Sequence, residues 1–405
     1  MSTDPLGDAV SRQYETWVYP APIQDLQAWL QGSWQWFDPS HAHRLMWPDR
    51  DYRPDMDILV AGCGTNQAAV IAFTNPSARV VAIDVSAASL DHHRWLKDRY
   101  SLDNLELHRL PIEEVDTLGQ DFDLIITTGV LHHMADPAGG MRALAECLRV
   151  DGVLAVMLYA NYGRIGVHMM QSVFKDLGLA QDERSLAVVR DAISQLGPLH
   201  PLASYLQIAP DLGDDAGLVD TFLHGREQAY SIDECRELVA SAGLAFQDLF
   251  LKSSYYPPTP PEGEFLSAVA TLPREQQWSI MQRINASNAC HYFLACRPDR
   301  PVESYAIDID SPDCLSYVPG FRKGCGLTGT VVHRHDWQRE LSPLQAALAE
   351  GIDDRRSIAE VAEAVASSGA FARSDIAEVR TVAVETFRSL WQQDFLAMGI
   401  RPVGL

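Results

Sequence analysis

Residues that could bind a nucleotide follow a short apolar run near position 60. Gly62 and Gly64 flank Cys63 directly after residues 57–61, and the segment 68–73 reads as the start of a helix. Glycine allows a positive φ and lets a ligand approach the backbone, and a helix N-terminus offers unpaired N–H groups. This order of strand, glycine turn and helix is typical of α/β proteins that hold an adenosine-bearing ligand.

An acidic residue in a suitable place could bind the ribose of such a ligand. Asp84 ends the apolar run 80–84, about 20 residues after the glycine turn, where a carboxylate can accept hydrogen bonds from both ribose hydroxyls. The other interpretation is a strand-end acid that caps the following helix. Position and strand context favour the ribose role, and the nucleotide could then belong to NAD or to S-adenosylmethionine.

Side chains at the ends of two later strands are candidates for catalysis. His132 and His133 come after the fourth predicted strand, and we expect one to pack while the other faces a substrate as a possible general base. Tyr159, Asn161 and Tyr162 follow the fifth strand, at the open edge where ligands bind in such sheets. Packing explains all five residues as well.

His224 is a third catalytic candidate, because it lies four residues after Asp220 and would share a helix face with it. Helix capping and solvation explain this pair equally well. We expect no metal site, since the only loose cluster fits no zinc spacing; its members are Cys314, Cys325, His333 and His335.

Alternating strands and helices must position these residues. Continuous apolar runs joined by helical windows imply a parallel sheet covered on both faces. The runs that read as the seven strands are 57–61, 80–84, 105–108, 122–127, 153–159, 244–251 and 291–296. The predicted fold class is therefore α/β, with a doubly wound, mostly parallel, seven-stranded sheet.

Composition suggests three segments around this sheet. Residues 1–56 are rich in aromatic residues and proline and read as an N-terminal helical arm, and residues 57–299 carry the sheet. Within them, residues 160–230 form a long insertion that could act as a substrate lid. Residues 300–405 contain three helical windows, two of which begin with capping boxes, and predict a small helical domain that could resemble a winged helix.

Charge and cysteine content exclude several classes of protein. The chain has 405 residues, with 32 Lys and Arg against 54 Asp and Glu, which gives a net charge of −22. This balance argues against nucleic acid and against an anionic membrane surface as general partners. No apolar stretch approaches the ~20 residues of a membrane span, and no signal peptide is evident. The seven scattered cysteines fit a reduced, cytoplasmic protein.

Four segments, in the same order as in a known family, resemble the motifs of class I S-adenosylmethionine-dependent methyltransferases. Residues 62–65 and 82–86 resemble the first two motifs, residues 122–137 the fourth-strand motif, and residues 149–154 the turn before the fifth strand. The resemblance implies a Rossmann-like sheet whose last strand is antiparallel, and S-adenosylmethionine as the cofactor. The N-terminal Tyr-rich arm is similar to that of a subset of these enzymes.

The resemblance also implies where the cofactor would bind. Gly62, Cys63 and Gly64 would lie under its methionine part, and Asp84 would hold the ribose. The further implied contacts are Tyr14 and Tyr19 of the arm, Asn66 and Gln67, Val85, Pro111, Ile112 and Glu113 beside the adenine, and Thr128, Gly129, Val130 and His133 after the fourth strand. Ala61 replaces an acid that is common in the family, and Asn66 and Gln67 replace a later glycine.

The resulting prediction is methyl transfer to a small metabolite, a carrier-bound intermediate or a protein side chain. The main alternative is a regulatory or interaction protein that binds the cofactor without catalysis, with a protein partner on the C-terminal domain. An NAD-linked oxidoreductase is a third interpretation, but no residues after the fourth strand resemble a hydride-transfer site.

Overall fold

The chain divides into two compact units in the structure, a computed structural model that describes residues 5–285, 287–367, 369–372 and 374–400. The first unit comprises Met1–Phe37, Pro54–Phe246 and Gln282–Asp299, and the second comprises Asp38–Arg53, Gln247–Met281 and Arg300–Leu405. Residues 38–53 and 247–281 thus group with the C-terminal segment, whereas the sequence placed them with the arm and with the sheet.

A seven-stranded sheet organises the first unit. Its strands are β1 (Asp57–Ala61), β2 (Arg79–Asp84), β3 (Leu105–Arg109), β4 (Phe122–Thr128), β5 (Leu148–Tyr159), β6 (Ala245–Leu249) and β7 (Cys290–Cys296). The spatial order is β3-β2-β1-β4-β5-β7-β6. β1 to β5 pair in parallel with their neighbours, and β7 runs antiparallel to β5. The predicted seven-stranded, mostly parallel sheet is confirmed.

The strand order places the ends of β1, β2 and β4 next to one another. The chain passes from β1 outward to β2 and β3, then returns to pair β4 with the other edge of β1. In doubly wound sheets, ligands bind at the carboxyl ends of the strands where the order reverses in this way. The glycine turn after β1 and the Gly129 turn after β4 both lie at this point.

Helices connect the strands and extend the chain beyond them. In chain order they are α1 (Ala9–Thr16), α2 (Leu26–Leu30), α3 (Pro39–Met46), α4 (Gln67–Thr74), α5 (Ala87–Tyr100), α6 (Pro137–Glu146), α7 (Ile165–Asp176), α8 (Glu183–Gln195), α9 (Leu202–Leu206), α10 (Asp215–Phe222), α11 (Ile232–Ser241), α12 (Gly263–Ala270), α13 (Arg274–Ile284), α14 (Pro343–Glu350), α15 (Ile358–Ala366) and α16 (Ile376–Gln392). Within the described residues, no helix has both the length and the apolar character needed to cross a bilayer.

The insertion 160–230 contains four of these helices, α7 to α10, and has an apolar core of its own. Val167 and Phe174 of α7, Val189 of α8 and Phe222 of α10 are buried together in it. α7 and α9 approach closely because Gly166 has no side chain: a Cβ there would lie 2.2 Å from the backbone nitrogen of Leu202. This packing fixes α10, which carries Asp220.

The C-terminal part of the second unit combines the expected helices with strands that were not expected. Both predicted capping boxes form, at Ser342 before α14 and at Ser357 before α15. Five short strands accompany them: β8 (Val318–Phe321), β9 (Gly326–Thr328), β10 (Val331–Arg334), β11 (Trp337–Glu340) and β12 (Leu396–Gly399). β9, β10 and β11 form one antiparallel sheet, and β12 pairs with β8. The predicted helices are therefore present, and the structure adds strands that the sequence did not indicate.

Candidate functional site

The glycine turn after β1 is held in place by the acid at the end of β2. Gly62 and Gly64 have φ values of +72° and +53°, which side chains disfavour. The Gly64 backbone N–H donates to Asp84 Oδ2 and the Ser86 N–H donates to Oδ1, each at 2.9 Å. Burial raises the pKa of Asp84 to about 6, because these hydrogen bonds offset the loss of water only in part.

The turn after β4 packs directly on the glycine turn. A Cβ at Gly62 would lie 2.3 Å from Cγ2 of Val130, so only glycine leaves room for that valine. Gly129 has a φ of +74°, and Thr128 ends β4 just before it. Cys63 is buried between the two glycines, and burial raises the pKa of its thiol well above the ordinary value. The two turns therefore pack against each other at the end of the sheet.

The N-terminal arm is bound to this turn by the side chains of Thr65 and of Asn66, and the sequence assigned Asn66 to the cofactor. Asn66 Nδ2 donates to the Ala21 carbonyl at 2.9 Å, and Asn66 Oδ1 accepts the Ile23 N–H at 2.8 Å. Thr65 Oγ1 donates to the Pro20 carbonyl at 2.7 Å. The amide of Asn66 is thus engaged by the arm.

Gln67 also contacts protein groups where the family has its later glycine. Its Nε2 donates to Thr128 Oγ1 at 3.1 Å and to Gln35 Oε1 at 3.3 Å. The side chain therefore links the start of α4 to the end of β4 and to a residue of the arm.

The ends of β2 and β3 provide the predicted adenine wall. Val85 follows β2, and its carbonyl accepts the Arg109 Nε–H at 3.0 Å. After β3, Pro111 and Ile112 are buried and begin a 3₁₀ helix, whereas Glu113 is exposed. The adenine-facing residues implied by the resemblance thus lie beside Asp84, at neighbouring strand ends.

A second polar cluster surrounds Asp220, which is only 2% exposed. Tyr14 Oη donates to its Oδ1 at 2.7 Å and Tyr159 Oη donates to its Oδ2 at 3.0 Å. The arm, the end of β5 and α10 therefore meet at one carboxylate. Burial raises the pKa of Asp220, and burial followed by the charge of Asp220 raises the pKa of both tyrosines well above the ordinary value.

Three imidazoles lie beside this carboxylate, each with a defined proton arrangement. His133 Nδ1 lies 3.0 Å from the Arg226 carbonyl, which can only accept, so Nδ1 carries the proton of the neutral ring. His224 Nδ1 accepts the Arg226 N–H at 3.0 Å and His132 Nδ1 accepts the Tyr159 N–H at 3.2 Å, so these two neutral rings carry their protons on Nε2.

Stacking fixes the same rings and leaves one nitrogen of each without a partner. His133 stacks on His224 with ring centroids 3.8 Å apart, and His132 stacks on Tyr159 at 3.9 Å. Within the described residues, the Nε2 atoms of all three histidines are buried and have no hydrogen-bond partner. Burial lowers the pKa of His224 to about 2 and that of His132 well below its ordinary value, so both stay neutral donors.

Arg164 supports Tyr159 from behind and was not predicted. Its guanidinium lies 3.7 Å from the centre of the Tyr159 ring, and its NH2 group makes hydrogen bonds of 3.0 and 2.9 Å to the two carboxylate oxygens of Glu227. NH1 donates to the Tyr205 hydroxyl at 2.7 Å. Arg164 and Glu227 are both buried, and no local pattern marks either residue in the sequence.

His133, Asp220 and His224 are close enough to be considered as metal ligands. One ring nitrogen of each histidine and one carboxylate oxygen lie within 4.8 Å of one another. Because His224 Nδ1 accepts a backbone N–H, its other nitrogen carries a proton and has no lone pair for a metal. The arrangement is better suited to hydrogen bonding and to holding a charged group than to coordinating a metal ion.

The remaining predicted residues lie at the edges of these two clusters. Tyr19 precedes Pro20 in the arm, where it is half-buried. Asn161 donates its backbone N–H to the Tyr230 carbonyl at 2.8 Å, and Tyr162 begins a short 3₁₀ helix. Cys314, Cys325, His333 and His335 form no metal-binding group in the described part of the chain.

Comparisons with known proteins show what this chain is similar to. Residues 59–154 match the family model of a methyltransferase domain. An uncharacterized protein of Synechococcus sp. is 32% identical over 254 residues, which cover 60% of this chain and 60% of that protein. The malonyl-[acyl-carrier protein] O-methyltransferase of Acetivibrio thermocellus is 33% identical over 114 residues, 28% of this chain and 39% of that protein. The chain thus spans less than two thirds of the length of both relatives.

Solved structures share the fold over most of the chain. The structure of PKMT2 from Rickettsia typhi covers 95% of this chain and 78% of that protein, with a TM-score of 0.66 and 15% identity. The same protein in complex with AdoHcy covers 90% of this chain, with a TM-score of 0.64. The chain therefore has the Rossmann-like fold of these structures, and its residues 59–154 match a methyltransferase domain.

Proposed function

We propose that this chain transfers the methyl group of S-adenosylmethionine to an acceptor bound beside Asp220. The observation that carries the proposal is Asp84, a carboxylate fixed against the glycine turn by the Gly64 and Ser86 N–H groups. Each carboxylate oxygen has two lone pairs and accepts one backbone N–H, so one lone pair on each remains for a ribose hydroxyl.

The residues around the turn fit the rest of the cofactor. Gly62 and Gly64 adopt positive φ and expose the backbone to a ligand's methionine part. Thr128 and Gly129 would offer backbone groups to the cofactor's ammonium. Pro111 and Ile112 would flank the adenine with apolar surface. Asn66 and Gln67 would contribute indirectly, because their side chains bond to the arm and hold it across the turn.

The bound cofactor supplies an electrophilic methyl group on a sulfonium. Transfer from it would be an in-line displacement, in which the S–C bond breaks as the acceptor–C bond forms, so the main task of the chain would be alignment. Tyr159 stays protonated, donates its hydrogen bond to Asp220 and acts by positioning that carboxylate. His132 and His224 would donate hydrogen bonds to the acceptor, and the free lone pair of His133 Nε2 would take a proton from an acceptor that must lose one.

The acceptor class stays open among those that the sequence suggested: a small metabolite, a carrier-bound intermediate or a protein side chain. The Acetivibrio thermocellus relative is named for a carrier-bound acceptor, but it matches only 28% of this chain. We further propose that the C-terminal segment contacts a protein partner, and that the protein is cytoplasmic. All seven cysteines are free thiols, which supports a reducing compartment.

Calorimetric titration with S-adenosylmethionine and S-adenosylhomocysteine tests the proposal. We expect both to bind, and Asp84→Ala to weaken both, because the variant loses hydrogen bonds from a partly buried site. Asp103→Ala, a change at an exposed acid in the same unit, is the matched control. A folded protein that binds neither compound would refute the proposal.

Transfer itself is tested with methyl-labelled cofactor in a cell extract. If the unchanged protein transfers label to an acceptor and Asp84→Ala does not, the result supports an enzyme. Binding of the cofactor with no label transferred would favour the regulatory alternative.

A further inference from the structure

Asp220 is a buried carboxylate that has hydrogen-bond donors but no partner of opposite charge. Both of its oxygens accept tyrosine hydroxyls, and in the described part of the chain it makes no ion pair. Two donated hydroxyl protons favour the ionised form. An ionised carboxylate out of water is costly unless it is paired, so this site has a charge that the protein alone leaves uncompensated.

The nearby cationic groups are already engaged elsewhere. Arg164 pairs with Glu227, and the Arg226 guanidinium bonds to Asp8 and to the His133 carbonyl. The ring of His224 accepts a backbone N–H and stays neutral. His133 also faces the carboxylate, with a ring nitrogen within 4.8 Å of it. While the His133 ring is neutral, none of these groups neutralises Asp220.

Helix stability does not explain an acid at this position. Asp220 lies in the last turn of α10, which ends at Phe222. The C-terminal end of a helix carries partial negative charge, so a carboxylate there is unfavourable. Solvation does not explain it either, because the residue is 2% exposed. The position makes sense if the carboxylate serves a ligand.

The cluster around Asp220 is connected to the glycine turn in two ways, through Tyr14 and through His133. Tyr14 donates to Asp220 through its hydroxyl, and its backbone carbonyl accepts the Ser86 Oγ–H, two residues from Asp84. His133 follows Val130, which packs on Gly62. The uncompensated charge therefore lies in the part of the first unit where the reactive end of the cofactor and the acceptor would meet.

We propose that Asp220 is the counter-charge for an organic cation, either the sulfonium of the methyl donor or the ammonium of an amine acceptor. The proposal rests on the proposed function. The aromatic ring of Tyr14, which delivers one of the two hydroxyls, is also a surface that attracts cations; the ring of Tyr159 is already covered by Arg164 and His132. The two sources share one chemistry, a singly charged onium group beside a buried carboxylate, and binding measurements separate them.

The first measurement compares cationic and neutral forms of the cofactor. S-adenosylmethionine and sinefungin carry a positive charge at or beside the transferred group, whereas S-adenosylhomocysteine is neutral there. If the sulfonium is the partner, Asp220→Asn should weaken binding of the two cations about 10- to 100-fold and leave S-adenosylhomocysteine unchanged. Asp214→Asn, the same change at an exposed acid before α10, should alter none of the three.

The second measurement uses an amine on the protein saturated with S-adenosylhomocysteine. Saturation-transfer NMR compares n-butylammonium with n-butanol, which has a similar shape and no charge. If the acceptor is an amine, the ammonium should bind the unchanged protein and lose binding about 10- to 100-fold in Asp220→Asn, with the alcohol unaffected. All samples contain EDTA, so that no metal ion occupies the cluster.

The outcomes are distinguishable. Loss confined to cations in either measurement supports the proposal and identifies the source. Equal losses for cations and neutral ligands, or no loss in both, would overturn it. If Asp220→Asn does not fold, the same ligands are compared on the unchanged protein alone. Equal affinity for sinefungin and S-adenosylhomocysteine, with no preference for butylammonium over butanol, also overturns the proposal. An unchanged protein that binds neither cofactor form refutes the proposed function instead.

Discussion

Replacing Asp84 by asparagine should abolish tight cofactor binding and yet leave the ligand-free protein at least as stable at pH 8. The reason is that Asp84 is kept ionised at some cost. Burial raises the pKa of this carboxyl to about 6 in the folded protein, against an ordinary value of 3.8. Asparagine has the same shape and no charge, and its oxygen can still accept one of the two backbone N–H groups.

The size of the expected difference in stability between the unchanged protein and Asp84→Asn follows from proton linkage. A carboxyl with a raised folded-state pKa binds protons more tightly in the folded state, so its contribution to stability falls as pH rises from about 4 to about 6. The full shift is equivalent to about 3 kcal/mol as an upper limit. Between pH 5 and pH 8 the unchanged protein should lose about 1.4 kcal/mol relative to Asp84→Asn, because pH 5 lies one unit below the folded pKa.

Urea denaturation followed by tryptophan fluorescence measures this difference at pH 5, 6, 7 and 8. Asp103→Asn is the matched control, and its free energy of unfolding should follow that of the unchanged chain across the range. A difference between Asp84→Asn and the unchanged protein that stays constant with pH would refute the reasoning. Titration with S-adenosylhomocysteine at pH 8 provides the second half of the test, and a variant that binds as tightly as the unchanged protein contradicts it.

Three further substitutions test other parts of the first unit. Arg164→Met leaves the buried Glu227 without its arginine, with His168 Nε2 at 3.7 Å beside it, and should lower the free energy of unfolding by about 3–5 kcal/mol; urea denaturation should show a smaller loss when Glu227→Leu is added. Asn66→Ala removes two hydrogen bonds to the arm and should cost about 1–3 kcal/mol, with faster proteolytic cleavage of residues 5–25; cleavage at an unchanged rate would contradict the arm contact. Gly62→Ala should weaken S-adenosylhomocysteine binding at least about tenfold, since its Cβ would lie 2.3 Å from Val130 and φ is strained by about 1–2 kcal/mol; Val130→Ala should restore only the steric part, and full recovery would show that the strain is negligible.

The sheet could be predicted because its signal is local. Buried parallel strands are continuous apolar runs, and residues 57–61 and 122–127 match β1 and β4 almost residue for residue. β5 begins five residues earlier than predicted, at Leu148. Arg149 and Asp151 interrupt the apolar pattern there, although Leu148 already pairs with Phe122 of β4.

The polar clusters could be predicted only in part, because tertiary contacts assemble them. Tyr14 and Asp220 are 206 residues apart in sequence, and no spacing rule connects them. Asp220 and His224 were noticed through their helical spacing, but what surrounds Asp220 comes from the arm and from β5. Arg164 had no local signal at all. Asn66 was assigned to the cofactor by position in a motif, and the residues that bind its amide lie more than 40 positions upstream.

The second unit was the least predictable part of the chain. Its strands have only three or four residues, and several carry charged or polar side chains, so alternation is too short to recognise. Its pieces are also separated in sequence: residues 38–53 join it although almost 200 residues separate them from 247–281. Composition along the chain does not reveal such a grouping.

The way the arm is bound bears on how freely its sequence can change. Within the described residues, the hydrogen bonds that Thr65 and Asn66 make to the arm go to main-chain atoms, the carbonyls of Pro20 and Ala21 and the N–H of Ile23. Every residue has a carbonyl and every residue except proline an N–H, so a substitution such as Ala21→Ser keeps the contact, whereas changing either side chain on the turn breaks it. Tolerance to mutation should therefore be one-sided across this contact: broad in the arm and narrow in the turn.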